Sequence, residues 1–230
     1  MLRVASLHIY PVKACAGVDL PVMELDDRGP IHDRRFMIVD ESGRFITQRE
    51  APRMALIRPS IRSTGLLLET AGVAPLQVDS GAARRHVQVW SSELEAIDVG
   101  DAAAQWLSVL LDRSVRLVSM APDVRRPIDA PHNEGPISVA FADGFPLLVT
   151  HASSLRELNG RLEQPITMDR FRANIVIDGG APWEEDTWKS LRIGDATIRL
   201  PKPCERCTVI TVDPTTGESG KEPLKTLATY

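Results

Sequence analysis

The segment Pro201-Lys-Pro-Cys-Glu-Arg-Cys-Thr-Val-Ile-Thr-Val-Asp-Pro-Thr-Thr-Gly217 contains two of the chain's three cysteines, Cys204 and Cys207. Arg206 lies between them, and a guanidinium beside a thiol favours the thiolate, which binds soft metals. The alternation from Thr208 to Val212 predicts a strand that ends in a Pro/Thr/Gly turn. We therefore expect a cysteine that is held at the edge of a strand and is able to bind a metal.

The spacing of the cysteine pair alone leaves several roles open. A zinc site needs two more soft ligands, and neither Cys15 nor the five histidines are paired at ligand spacing. A thioredoxin-like redox pair needs a strand before the cysteines and a helix that begins between them, whereas here a strand is predicted after them. A single thiolate that holds the metal of a cofactor needs only one protein ligand. Two packed thiols are the simplest alternative.

The composition predicts a globular protein in a reducing compartment. The chain has 230 residues, is 43% hydrophobic and carries a net charge of −4, which fits one large or two small domains and does not favour binding to nucleic acid. An odd number of cysteines is unlike a secreted disulfide scaffold. The first residues, 1–17, lack the apolar region of a signal peptide, and no apolar run reaches the roughly 18 residues of a membrane span. We expect a soluble, cytoplasmic protein that binds neither membranes nor nucleic acid.

Short alternating apolar segments predict a mainly β protein with flanking helices, of the α+β class. The predicted strands are 2–12, 36–39, 45–47, 66–68, 87–90, 115–118, 137–141, 146–150, 168–178 and a hairpin over 191–200. Residues 70–85 are predicted to be a connection. Helices are predicted over 101–112, with Asp101 as the cap, and from Ser154, where Ser154-Leu-Arg-Glu157 fits a capping box. This pattern is typical of barrel-like β domains with helices outside them, and not of a parallel doubly wound sheet.

The stretch 121–136 contains four prolines and no apolar period, which predicts a domain boundary or a long functional loop. We place the two domains at residues 1–120 and 121–230, and note that the first strand is a candidate for pairing with the second domain.

Four distant segments offer hydrogen-bond donors for an anion. They contribute Lys13 from a loop, Arg34 from a strand start, Ser154 from a helix start, and Arg172 with Asn174 from one predicted strand. Arg172 and Asn174 are two residues apart, so a strand would place them on one face, and a helix start binds anions as well as caps. Each also has a plain alternative, either a solvated side chain or a helix cap.

Six segments spread along the chain resemble segments of one known protein family. They are Tyr10-Pro-Val-Lys13, Asp33-Arg-Arg-Phe-Met-Ile-Val-Asp40, Thr47-Gln-Arg-Glu-Ala-Pro-Arg-Met-Ala-Leu-Ile57, Phe141-Ala-Asp-Gly-Phe-Pro-Leu-Leu148, Arg170-Phe-Arg-Ala-Asn-Ile-Val-Ile177 and Cys204-Glu-Arg-Cys207. Together they resemble the MOSC-domain family, and within it most closely the branch of the mitochondrial amidoxime-reducing component and its bacterial relatives.

This resemblance implies a β-barrel MOSC domain preceded by a smaller MOSC N-terminal β-barrel-like domain. It also implies a molybdenum cofactor of the molybdopterin type, whose metal is bound by Cys207, the catalytic residue. The resemblance implies that the rest of the cofactor is held by Lys13, Arg34, Ser154, Arg172, Asn174 and Arg206. The family's reaction is the reduction of small N-hydroxylated compounds, such as amidoximes and hydroxylamines.

The chain departs from the family pattern in two places. The family often has serine after the loop lysine, whereas this chain has Ala14, so we expect one phosphate hydrogen bond to be lost or to come from the backbone. The chain ends at Tyr230 without the cysteines of an appended iron–sulfur domain. We therefore expect either that electrons come from an external redox protein of the ferredoxin or cytochrome type, or that the final strands are absent and the barrel is closed differently.

Two other functions would use the same residues. A sulfur-carrier or cofactor-delivery domain would carry a persulfide on Cys207. A protein that binds pyridoxal phosphate would use Lys13 as the Schiff-base amine, although the sequence offers no obvious acidic partner for the pyridine nitrogen.

Overall fold

The structure is a computed structural model that describes residues 1–79, 81–128 and 137–230. Of the predicted boundary at 121–136, residues 129–136 lie outside this described part. The described strands are β1 (Arg3–Ile9), β2 (Val18–Leu20), β3 (Leu25–Asp26), β4 (Gly29–Pro30), β5 (Phe36–Val39), β6 (Arg58–Arg62), β7 (Gly65–Thr70), β8 (Val73–Asp79), β9 (Ala83–Val89), β10 (Ser92–Asp98), β11 (Arg116–Met120), β12 (Val149–His151), β13 (Ile175–Asp178), β14 (Ser190–Ile193) and β15 (Ala196–Arg199).

Helices are fewer than the strands. The described α-helices are α1 (Asp101–Leu111), α2 (Ala152–Asn159) and α3 (Leu224–Leu227). Four 3₁₀ turns are also described, at Pro52–Leu56, Met168–Phe171, Glu184–Thr187 and Thr208–Thr211. The prediction of a mainly β protein with flanking helices is confirmed. In the described part of the chain, no helix is long and apolar enough to cross a membrane.

A four-stranded sheet in the order β12-β13-β1-β2 brings the two halves of the chain together. β1 is antiparallel to β13, with Arg3 opposite Asp178 and Leu7 opposite Ile175, and its other edge pairs with β2. β12 runs parallel to β13. Backbone hydrogen bonds therefore connect the two predicted domains. The boundary between these domains at residue 120 stays a prediction.

The first half builds most of the core around a second sheet, in the order β5-β11-β10-β9, and a third, in the order β6-β7-β8. Leu107 of α1 is fully buried in one cluster with Ile38 of β5, and this burial contributes about 1.5–3 kcal/mol to stability. Val12 and Cys15 belong to the same cluster. The loop that carries Lys13 is therefore anchored on both sides by buried residues.

Two local patterns gave the correct structure. The helix predicted over 101–112 is α1, which buries Ala103, Leu107, Leu110 and Leu111 along one face. The hairpin predicted over 191–200 is formed by β14 and β15. Both depend only on neighbouring residues, so the sequence pattern was sufficient to predict them.

Two predictions about strands in the first half were wrong. The supposed connection at 70–85 contains β8, because pairing with β7 stabilises this stretch in spite of its glycine and proline. Phe45–Thr47 makes only an isolated bridge to Val39, since the amide of Phe45 donates instead to the carbonyl of Gln88.

Three strands predicted in the second half were also wrong in part. The strand at 168–178 begins only at Ile175, because a 3₁₀ turn precedes Arg172 and Arg172 itself is left-handed, with a φ of 57°. The argument that Arg172 and Asn174 share a strand face therefore fails. In the strand predicted over 208–212, Thr208–Thr211 forms a 3₁₀ turn and Val212 makes only an isolated bridge to Ser219. Residues 137–141 likewise contain only an isolated bridge.

Both predicted helix caps were wrong. Gly100, with a φ of 114°, is the N-cap of α1, and Asp101 is already helical. The N-cap of α2 is His151, whose Nδ1 accepts a hydrogen bond from the amide of Ser153. Ser154 therefore lies inside the first turn of α2, where its side chain is free for a contact other than capping.

Candidate functional site

Tyr10, just after β1, lies at the centre of a cluster of cationic side chains. The guanidinium of Arg34 lies 4.4 Å from the centre of the tyrosine ring, and that of Arg172 lies 4.3 Å from it. The ring is almost completely buried, and its hydroxyl donates a hydrogen bond to the carbonyl of Ala173 at 3.2 Å. The electron-rich face of an aromatic ring attracts cations, so Tyr10 holds two guanidinium groups close together.

Arg34 is fixed by contacts on both its backbone and its side chain. Its amide donates to the carbonyl of Tyr10 at 2.8 Å, and its Nη1 lies 2.7 Å from both carboxylate oxygens of Asp33. Its Nη2 donates to the carbonyl of Arg172 at 3.1 Å. Asp33 thus offsets the charge of Arg34, and the guanidinium has one well-defined position.

Asn174 connects the strands to this cluster. Its Nδ2 donates to the carbonyl of His8 and to Oδ1 of Asp33, both at 3.1 Å. Its Oδ1 accepts hydrogen bonds from Nη1 of Arg34 at 3.0 Å and from the amide of Leu148 at 3.2 Å. The side chain is fully buried, and both of its polar atoms are paired within the protein. Asn174 therefore orients Arg34 and presents no free group to a ligand.

Arg172, in contrast, keeps both a charge and donors for a ligand. Its Nη1 donates to the carbonyl of Cys15 at 2.6 Å. Its other N–H donors have no partner among the described residues, and no carboxylate there forms an ion pair with it. Burial, and next the charge of Arg34, lower the pKa of Arg172, but an arginine stays protonated at any physiological pH. This arrangement suits an anion with several oxygen acceptors, such as a phosphate.

Lys13 lies in the loop after Tyr10 and is already paired. Its Nζ donates to the carbonyl of Phe141 at 2.8 Å and to Oδ1 of Asp143 at 2.5 Å. Burial lowers the pKa of Lys13, and the charge of Asp143 opposes this effect. Burial raises the pKa of Asp143, but the charge and hydrogen bond of Lys13, together with the hydrogen bond from Trp90, lower it more, to about 2. A ligand anion would therefore have to compete with Asp143 for the lysine.

Cys207 is exposed at the start of the 3₁₀ turn Thr208–Thr211, and Cys204 is exposed three residues earlier. The guanidinium of Arg206 lies 5.3 Å from the ring centre of Phe171, the residue that precedes Arg172. The cysteine segment therefore lies beside the chain that carries Arg172. The third thiol, Cys15, is buried, and burial raises its pKa to about 12, so it is unsuited to bind a metal as a thiolate. In the described ranges, no group of three or more His, Cys, Asp or Glu side chains is placed to hold a metal ion.

Ser154 lies away from this cluster. β12 and β13 are parallel, and His151 at the end of β12 is opposite Ile177, so α2 begins at the end of the sheet that is remote from Asn174. The hydroxyl of Ser154 donates to Glu185 and accepts from the amide of Trp183, both at 2.8 Å. The structure thus brings Arg34, Arg172 and Asn174 together. Lys13 lies three residues after Tyr10, and Arg206 contacts Phe171, whereas Ser154 is not brought to this cluster.

Sequence reasoning missed three residues that shape the site. Tyr10 and Asp33 position the two arginines, and Arg170 contacts the segment that follows Cys207. Tyr10, Asp33 and Arg170 all lie in segments that resemble the MOSC family, but no local pattern distinguishes them from ordinary polar residues.

Comparison with known proteins gives the family. The sequence profile of the MOSC N-terminal beta barrel domain matches residues 1–114, and that of the MOSC domain matches residues 136–230. Mitochondrial amidoxime-reducing component 1 of Homo sapiens is 36% identical over 244 residues, which cover 99% of this chain and 71% of that protein. The chain belongs to the MOSC-domain family.

Two further proteins are similar to this chain. Mitochondrial amidoxime reducing component 2 of Rattus norvegicus is 34% identical over 242 residues, covering 99% of this chain and 72% of that protein. Molybdenum cofactor sulfurase of Drosophila mojavensis is 35% identical over 237 residues, covering 98% of this chain but only 30% of that protein. The residues around Tyr10 fall in the first matched domain, and Arg172 and Cys207 fall in the MOSC domain itself.

Proposed function

We propose that this protein is a molybdenum-cofactor oxidoreductase that reduces N-hydroxylated compounds, such as amidoximes and hydroxylamines. The observation that carries the proposal is the exposed thiol of Cys207 on a segment that packs, through Arg206 and Phe171, beside the Arg34 and Arg172 pair. A soft metal ligand and a cationic pocket are the two features that a metal-containing phosphorylated cofactor requires. The names of the amidoxime-reducing relatives support the same reaction.

The residues present fit the cofactor. Cys207 would bind the molybdenum through its sulfur, and Arg206, its neighbour in the chain, adds a positive charge to this segment. Arg172 would donate to the phosphate with the N–H groups that have no partner among the described residues, and Arg34 would add charge. Lys13 would join them by exchanging Asp143 for the ligand. We leave Ser154 out of the proposed site because its hydroxyl is paired elsewhere.

When bound, the cofactor supplies the two-electron reduction of the N–O bond, with release of water. The chain binds and orients that group, and the exposure of Cys207 gives a small substrate access to it. Electrons come from an external redox protein of the ferredoxin or cytochrome type. A cytoplasmic location stays a prediction.

Metal analysis tests this function directly. Protein purified from a host that makes the cofactor should contain molybdenum in stoichiometric amount and should reduce benzamidoxime with a dithionite-reduced dye. Cys207→Ala should lose both properties, whereas Cys204→Ala, which removes the neighbouring exposed thiol, should keep them. Wild-type protein without molybdenum would contradict the function, and molybdenum retained in Cys207→Ala would contradict the ligand assignment.

A sulfur-carrier function is the second candidate, because an exposed thiol can also carry a persulfide and one relative is a molybdenum cofactor sulfurase. Cyanide-releasable sulfur on Cys207 in protein that lacks molybdenum would favour this function. The pyridoxal phosphate alternative has less support, since the amine of Lys13 is held by Asp143 and by the carbonyl of Phe141.

A further inference from the structure

The segment that carries Cys207 has little structure of its own. Residues 201–205 are exposed and form no helix or strand, and regular structure begins only with the turn Thr208–Thr211. The carbonyl of Cys207 accepts the amide of Ile210 at 3.2 Å, which closes that turn. The position of the thiol therefore depends on what holds the turn to the rest of the protein.

Arg170 makes the main polar contact that holds this turn. Its Nη1 donates to the carbonyl of Thr211 at 3.1 Å, and its Nη2 donates to Oδ2 of Asp213 at 2.8 Å. Only about 13% of the Arg170 side chain is exposed, so water competes weakly for these bonds. The planar guanidinium makes two contacts at once, which fixes the angle of the segment as well as its distance.

The partner of Arg170 is rigid as well. Oδ1 of Asp213 accepts the amide of Thr215 at 2.8 Å and the amide of Thr216 at 3.2 Å, so the carboxylate is locked into its own turn. The carbonyl of Thr211 also accepts the amide of Gly220 at 3.0 Å. Both hydrogen-bond acceptors of Arg170, the carbonyl of Thr211 and the carboxylate of Asp213, are thus held in place within the segment that follows Cys207.

On its other side, Arg170 belongs to the chain that builds the cationic pocket. It lies in the turn Met168–Phe171, which leads directly into Arg172. We propose that Arg170 is a positioning residue that fixes the thiol of Cys207 relative to the Arg34 and Arg172 pair. This inference rests on the proposed function, because a ligand that carries a metal at one end and a phosphate at the other needs both ends of its site at a constant separation.

Three variants test the role of Arg170. Arg170→Met keeps an unbranched side chain about as long as the aliphatic part of arginine and removes both contacts, and Arg170→Lys keeps the charge but cannot make the same fork. Arg156→Met is the matched control, since it removes another arginine that pairs with an aspartate, Asp178 at 2.9 Å, and Arg156 lies on α2, outside the cysteine segment. The three variants and the wild type are compared without cofactor and with it.

Without cofactor, hydrogen exchange reports on the segment itself. In Arg170→Met, the amides of Ile210, Val212 and Gly220 should exchange about tenfold faster than in the wild type, whereas the amides of β13 should be unchanged. Arg170→Lys should be intermediate, and Arg156→Met should match the wild type at these three amides. Equal exchange in Arg170→Met and the wild type would overturn the proposal, whether or not the protein binds molybdenum.

With cofactor, the molybdenum should report the change in position. Arg170→Met should lose bound molybdenum at least about fivefold faster on dialysis and should shift the Mo(V) electron paramagnetic resonance signal, while Arg156→Met changes neither. An unchanged signal and rate in Arg170→Met would overturn the inference and leave the proposed function intact. Absence of molybdenum from the wild type would instead contradict the proposed function, and the exchange experiment would still decide the role of Arg170.

Discussion

The guanidinium of Arg172 lies 4.3 Å from the ring centre of Tyr10, and this contact places a cation with spare donors beside the cysteine segment. The same ring also receives Arg34 at 4.4 Å. Two like charges repel each other at short range, and the aromatic ring together with Asp33 offsets part of that repulsion. The guanidinium groups of Arg34 and Arg172 are therefore already in position before an anion binds.

Replacing Tyr10 should weaken the anion pocket. Tyr10→Leu removes two cation–π contacts of up to about 2 kcal/mol each at this buried ring, so we expect cofactor retention to fall several-fold and the protein to be less stable to urea. Tyr10→Phe keeps the ring and loses only the hydrogen bond to Ala173, which costs about 1 kcal/mol. Molybdenum content after gel filtration distinguishes the two variants. Equal retention of molybdenum by Tyr10→Leu and Tyr10→Phe would show that the ring does not position the arginines.

Replacing Ser154 should affect stability and not the cofactor. Ser154→Ala leaves the amide of Trp183 and the carboxylate of Glu185 without their hydroxyl partner, at a cost of about 1–2 kcal/mol. Molybdenum content should stay at the wild-type value, whereas Arg172→Met should lower it sharply. A loss of molybdenum in Ser154→Ala would place this serine in the cofactor site after all.

The three thiols should react in two classes. Cys204 and Cys207 are exposed, whereas Cys15 is buried and its pKa is raised to about 12 by burial. In cofactor-free protein at pH 8, Ellman's reagent should therefore titrate two thiols in the native state and a third only in guanidinium chloride. Cys204→Ser should leave one reactive native thiol, and Cys15→Ala should leave two. Rapid reaction of all three native thiols would contradict the buried position of Cys15.

The acid stability of the fold should depend on Asp98. Burial raises the pKa of Asp98, but hydrogen bonds from Arg116 and Arg85 lower it more, to about 2 from an ordinary 3.8. A lowered folded pKa means that the stabilisation is complete above the unfolded pKa and is lost as the pH falls towards 2. Asp98→Asn should therefore lose roughly 1–2 kcal/mol of unfolding free energy at pH 7, with a smaller difference from the wild type near pH 2.

Urea unfolding at several pH values measures this difference. Asp195→Asn is the control, because Asp195 is an exposed aspartate at the tip of the β14–β15 hairpin. This variant should follow the wild type at every pH. A constant difference between Asp98→Asn and the wild type from pH 7 to pH 2 would show that ionisation of Asp98 does not stabilise the fold.

Local patterns predicted the helix α1 and the β14–β15 hairpin because short-range periodicity and turn residues determine both. The strand at 168–178 was wrong because the sequence favours extended structure there, whereas tertiary contacts hold Arg172 in a left-handed conformation. A non-glycine residue in the left-handed region of backbone dihedral angles is usually held there by its surroundings. For Arg172 these are the contacts of its side chain with the ring of Tyr10 and the carbonyl of Cys15.

The candidate site was predictable only in its chemistry. The residue types and the family resemblance pointed to Arg34, Arg172 and Cys207, since cations and a thiol suit a phosphorylated metal cofactor. Their arrangement depends on contacts between residues far apart in sequence, such as Arg170 with Asp213 and Asn174 with Asp33. No periodicity encodes such contacts, so the role of Arg170 and the separate location of Ser154 required the structure.

The pairing of β1 with β13 also sets the order in which the protein can be completed during synthesis. Arg3 of β1 is synthesised 175 residues before its partner Asp178 of β13. At usual translation rates of about 5–20 residues per second, the first strand waits roughly ten to thirty seconds for its neighbour. The sheet beside the proposed site is therefore assembled late, and until then the nascent first strand has an unpaired edge that a chaperone or a second nascent chain can bind.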